Sequence, residues 1–113
     1  PALGWANAER ESFGQRGPAE MVFALALVHH LAISNNVPLP RLADFFAEVC
    51  QRAVIEWVPK SDSQVQKLLR SRKDIFDGYS REGFESAFGA RFQIRSALDI
   101  PESDRRLYLL EKR

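Results

Sequence analysis

"MVFALALVHHLAIS", Met21 to Ser34, decides how the rest of the chain reads. Its first part, Met21 to Val28, is apolar at every position and shows no alternation. A strand buried on both faces of a parallel sheet has this pattern, and so has a buried helix, so the neighbouring segments must arbitrate. "SNNVPLP", from Ser34 to Pro40, is turn chemistry and stops the run. "LPRLADFFAEVC" then places Leu39, Leu42, Phe45, Phe46 and Val49 at helical spacing, with Pro40 in the first turn, where its missing N–H costs nothing. "RAVIEWVP" follows, with the β-formers Val54, Ile55, Trp57 and Val58 closed by Pro59. Strand, helix and strand are thus separated by about two dozen residues, enough for a parallel crossover, which needs a dozen or more. On that spacing Met21–Val28 is expected to be a central parallel strand.

The remaining elements follow outward. "WANAERESFGQRGP" reads as a short helix that Asn7 can cap, with Leu3, Trp5 and Phe13 as apolar contacts. "SDSQVQKLLRSR" opens with Ser61 and Gln64 spaced as a capping box and Asp62 as a competing cap, and Arg70, Arg72 and Lys73 suit its negative end. "YSREGFESAFGARF" gives another helix, with Ser80 as cap and Gly89 as its end. "FQIRSAL" and "RRLYLLEK" read as strands, Phe92, Ile94 and Leu98 sharing one face of the first. Only "DIPESD" lies between them, too short for a crossover, so they form an antiparallel hairpin. The expected fold class is α/β: two parallel strands plus a C-terminal antiparallel hairpin, flanked by helices.

Composition narrows the function. The 113 residues suit a single domain, 1–113. A formal net charge of +1 gives no global field toward nucleic acid or an anionic membrane, so neither partner is expected. Cys50 is the only cysteine, which excludes an internal disulfide and leaves no cysteine cluster for zinc. The apolar run falls short of the ~20 residues of a spanning helix, no secretory signal is visible, and a cytoplasmic location is the expectation. The chain begins on Pro1 rather than Met, which hints at a piece of something longer.

The segments "LALVHHL", "VIEWVPKSD" and "GFESAF", followed by the hairpin, resemble the second half of a class I S-adenosylmethionine-dependent methyltransferase. "ERESFGQRGPAEMVFALALVHHLAISNNVPL" is similar to a bacterial subgroup, some of whose members carry nodulation-protein names. The resemblance covers nearly the whole chain. It implies a Rossmann-like sheet ordered 3-2-1-4-5-7-6, of which this chain would hold the fourth to seventh strands, the last inserted antiparallel beside the fifth. It also implies S-adenosyl-L-methionine as cofactor of the full-length protein. The family's glycine-rich loop and the acidic end of its second strand have no counterpart here, so the chain is expected to be an inactive C-terminal part of a methyltransferase domain. The methyl acceptor is not readable, and nothing separates O-, N- or C-transfer.

The candidate site residues follow from the strand ends. Ligands of open α/β sheets bind outside the carboxyl ends of the strands, at the switch point. His29 and His30 are expected there. As metal ligands they are poorly placed, because neighbours on a strand point to opposite faces and helical two-His sites use a spacing of three or four. The resemblance makes Leu27, Val28 and His29 cofactor-lining, and brings Trp5 toward the adenine, where the alternative is a hydrophobic anchor. His30 faces either the substrate or the core. Glu56, a carboxylate inside "VIEWVP", either faces the substrate pocket, pairs with an arginine such as Arg52 or Arg95, or lies at a wet strand end, since burying it alone would cost several kcal/mol. Lys60 and Asp62, just past that strand, are candidates of the same kind, with exposure as the favoured reading. Asn35 and Asn36 either touch substrate or shape the turn. A second function class stays open: a non-enzymatic interaction module, a half-sheet complete in itself or completed by a partner; in either case the exposed strand Met21–Val28 invites pairing, and self-association of the chain through it is expected.

Overall fold

The computed structural model describes residues 19–70 and 76–113. Its elements, in order, are β1 (Ala19–Ala24), a short π-type helix α1 (His30–Ser34), α2 (Leu39–Val49), β2 (Cys50–Trp57), α3 (Ser63–Arg70), α4 (Arg81–Gly89), β3 (Phe92–Asp99) and β4 (Arg106–Lys112). The helix expected before Pro18, with Trp5, and the cationic positions Arg72 and Lys73 lie outside the described residues. The architecture is mixed α/β around one four-stranded sheet, ordered β1-β2-β4-β3. β1 and β2 are parallel, and β4 lies antiparallel between β2 and β3.

β1 is shorter than the apolar run suggests. It ends at Ala24, the chain bends through Leu25–Leu27, and Ala26 adopts the left-handed conformation with φ 54°. That geometry is costly for a residue with a Cβ and breaks the strand where no glycine signals a break. His29 and His30 therefore open α1 instead of ending a strand.

α2 forms as its periodicity dictates. Pro40 sits in its first turn, and Leu39, Leu42, Phe46 and Val49 are buried with Ala43 and Ala47. Asp62, rather than Ser61, starts α3, accepting the Gln64 N–H at 2.8 Å. Ser80 caps α4 by accepting the Gly83 N–H at 3.0 Å. Gly83 is needed there, because a Cβ at this position would lie 2.3 Å from the Gly78 carbonyl oxygen.

The two sheet faces differ. Val22, Ala24, Ala53, Ile55, Trp57, Tyr108, Leu110 and Phe92 share one face by strand register and alternation. α2 packs on β2, α4 packs on β3, and the two helices pack on each other. An aromatic stack fills the interior: Phe84 lies 5.2 Å from Trp57, 4.6 Å from Phe88 and 4.9 Å from Tyr108, ring centre to ring centre. Tyr79 packs on Trp57 and donates its hydroxyl to the Val58 carbonyl. Cys50 is buried and donates to the Phe46 carbonyl at 3.1 Å, and burial raises its thiol pKa to about 11, which makes it an inert core residue. The other face carries Met21, Phe23, Val54, Leu107, Leu109 and Leu98. Phe23 is 67% exposed and Leu98 64%.

Leu98 does not share a face with Phe92. The register slips between Ile94 and Ser96, so Arg95 is an extra residue and every later side chain in β3 is turned over.

Truncating the centre of the aromatic stack, Phe84→Ala, is expected to lower stability by about 3–5 kcal/mol in urea denaturation. A loss under about 1 kcal/mol would mean that the stack is not packed as described.

Candidate functional site

The parallel strands end beside a cluster of polar groups drawn from four places in the chain. Glu56 is the penultimate residue of β2 and is almost fully buried. Its Oε1 accepts the Ala26 N–H at 2.7 Å, so the carboxylate holds the bend that ends β1. The same oxygen accepts from Arg105 Nη1 at 3.3 Å. Arg105 stands immediately before β4, and its guanidinium forks onto Asp62, with Nε to Oδ2 at 2.8 Å and Nη2 to Oδ1 at 3.1 Å. Asp62 in turn caps α3. Ser61 donates to Asp104 at 3.2 Å, a second tie between the turn after β2 and the hairpin loop.

The fork favours the ionised state of both partners. The Arg105 hydrogen bonds hold the Asp62 carboxyl below its ordinary value of 3.8, helped by the Gln64 N–H. Arg105 is pushed up by the same pairing, with Glu56 adding to it. Two carboxylates against one guanidinium leave one negative charge in excess.

His29 lies within the field of this cluster. It is 1% exposed, and neither ring nitrogen has a hydrogen-bond partner among the described residues. Burial lowers its pKa from 6.5 to about 4, with His30 and Arg105 adding in the same direction and Asp62 opposing. The ring is therefore neutral at physiological pH. His30 is exposed, and its ring centre lies 4.4 Å from that of His29. Among the described residues no group of three or more His, Cys, Asp or Glu is placed to hold a metal ion.

The sequence candidates are only partly brought together. Val28 and His29 are sunk in the core, Leu27 is half-buried, and Asn35 is exposed, its amide donating to the His30 carbonyl at 3.3 Å. Trp5 lies outside the described residues. Glu56 pairs with neither Arg52 nor Arg95, both of which bridge Glu111 at 3.4 Å and 3.8 Å. Its partner is Arg105, which sequence reading passed over. Asp62 is not exposed as expected; its side chain is 12% exposed beneath Arg105. Only the pairing of β4 with β2, which sets Trp57 opposite Arg106, brings the preceding residue to the strand end, and "PESDRR" itself carries no signal for it.

No family model matches the chain, and no solved structure matches it. A curated relative does: "Nodulation protein NoeA" of Rhizobium meliloti (strain 1021) is 41% identical over 112 residues. The match takes in 99% of this chain and 24% of the relative, so the chain spans about a quarter of that protein's length. Among the described residues no helix is long and apolar enough to cross a membrane.

His29 makes stability pH-dependent. The unfolded chain takes up a proton near 6.5, whereas the folded one resists until about 4. The contribution is present above pH 6.5 and is lost as pH falls through that window, by on the order of 3 kcal/mol. Denaturation midpoints measured from pH 7.5 to 4 should fall accordingly, and His29→Leu should remove most of the slope. An unchanged slope in that variant would rule out His29 as its source.

Proposed function

We propose that this chain is the C-terminal part of an S-adenosylmethionine-dependent methyltransferase domain, inactive by itself. The observation that carries this is the sheet order β1-β2-β4-β3, with its final strand antiparallel beside β2. It is the order that the resemblance implies for the fourth to seventh strands. The polar cluster supports it by location, at the carboxyl ends of two parallel strands. Its excess negative charge suits a sulfonium. The cofactor would supply an electrophilic methyl group on that cationic sulfur.

The residues of this chain fit one wall of such a site. Leu27, Val28 and His29 shape the cofactor side through the path of the backbone after the Ala26 bend. Glu56 fixes that bend through the Ala26 N–H and, with His30 and Asn35, borders the acceptor side. Arg105 is a positioning residue, acting through Glu56 and Asp62. Methyl transfer needs alignment above all, so fixing the bend is the contribution these groups make. The relative's name places it in nodulation; here that stands as context for the parent protein, with the acceptor open.

Calorimetric titration with S-adenosylmethionine of two proteins tests this. The full-length rhizobial relative is expected to bind in the micromolar range, and this chain of 113 residues to show no binding. Absence of binding to the full-length relative would contradict the methyltransferase assignment. Submicromolar binding to the isolated chain would contradict the division of the site.

A further inference from the structure

A cavity of about 430 Å³ lies between the loop that enters α2, the turn before α4 and α4 itself. That volume falls within the ~300–1,000 Å³ of ordinary small-molecule sites. None of His29, Glu56, Asp62 and Arg105 lines it, so it is separate from the polar cluster.

The room comes from small residues. α4 turns Gly83, Ser86 and Ala87 toward the cavity, three and four positions apart on one helix face. The walls are stiff. Pro38 and Pro40 are rings with a fixed backbone angle. Tyr79 is pinned by its packing on Trp57 and by its hydroxyl bond to the Val58 carbonyl. Phe76 belongs to the same turn, its carbonyl accepting the Tyr79 N–H at 3.0 Å. Walls ordered in advance bind at a lower entropic cost than walls that must order around a ligand.

The lining selects the ligand. Among the described residues no charged side chain lines the cavity, so an ion placed there would lose water without gaining a counter-charge. Aromatic walls favour an aromatic ring over a saturated one of the same size. Asn36 and Ser86 are exposed where the cavity meets solvent, and each side chain can both donate and accept a hydrogen bond.

We propose that this cavity binds a neutral aromatic small molecule that carries a hydroxyl or carbonyl group. Its ring lies among Pro38, Pro40, Phe76 and Tyr79, and its oxygen is met by Asn36 and Ser86. The site does not rest on methyl-transfer chemistry and stands for a parent of any activity.

The test is an NMR titration of this chain with 2-naphthol. The amides of Ala32, Gly78, Gly83 and Ala87 should shift saturably, with a dissociation constant on the order of 100 μM, while those of Ala26 and Ile55 stay in place. 2-Naphthoate, which is charged, should bind at least about tenfold more weakly. 2-Decalol, which has the size but no aromatic face, should bind at least about fivefold more weakly. Ala87→Phe fills the cavity and should abolish the shifts. Asn36→Gly is the second variant: glycine adopts the φ of 53° found at Asn36 at no cost, so the fold is kept and only the amide is lost. It should weaken 2-naphthol about fivefold with an unchanged melting temperature. A cavity already filled by another part of the chain would give no saturable shift, and that result would overturn the proposal. So would shifts spread over the whole chain, equal binding of all three probes, or an affinity that ignores Asn36→Gly.

Discussion

Arg105 joins elements that are far apart in the chain. One guanidinium reaches Glu56 at the end of β2 and Asp62 at the start of α3, and Glu56 reaches the Ala26 amide in the bend after β1. The cluster is nearly buried, so each group depends on the others. A carboxylate such as Glu56, left alone at a dry strand end, would cost several kcal/mol, and a partner that also caps a helix offsets that cost. The bend itself is strained, with a positive φ at an alanine, and the Glu56 hydrogen bond is what holds it. Without that bend the chain could not leave the strand at Ala24 and bury Val28 and His29 in the core.

The same arrangement explains the histidine pair. A neutral His29 without a hydrogen-bond partner among the described residues is an expensive core residue, since unpaired buried polar atoms cost on the order of 1–3 kcal/mol. Its neighbour His30 is exposed on the first residue of α1. The pair thus stands just beyond the strand end, with the His29 ring buried and the His30 ring exposed. The strained bend, the buried charge cluster and the orphaned ring are concentrated at one end of the sheet, and the opposite end carries ordinary surface pairs. Strain and unsatisfied polar groups gathered in this way mark the end where function is to be sought.

Much of the fold was legible. Period and turn chemistry gave α2, β2, α4 and the hairpin, and the caps Ser80 and Asp62 were visible as side chains able to accept an amide. Three features were not. The end of β1 fell inside "FALALV", where every residue is apolar and the left-handed position is an alanine, so neither hydrophobicity nor glycine marks it. The bulge at Arg95 leaves no trace in a run whose alternation looks continuous, and it sent Leu98 to the wrong face. Arg105 looks like a solvated turn residue in "PESDRR", and only the pairing of β4 with β2 brings it to Glu56, 49 positions away. The position of the polar cluster, at the carboxyl end of the parallel strands, was therefore legible, and the set of groups that interact in it was not.

That the polar cluster organises this end of the sheet can be measured at a single amide. Hydrogen exchange of the Ala26 N–H, followed by NMR in the intact chain and in Arg105→Ala, reports directly on its bond to Glu56. The Ala26 amide should exchange slowly in the intact chain. It should exchange at least about tenfold faster in the variant, while the Ile55 amide stays protected. An Ala26 amide that exchanges at the unstructured rate in the intact chain, or that ignores the loss of Arg105, would contradict it.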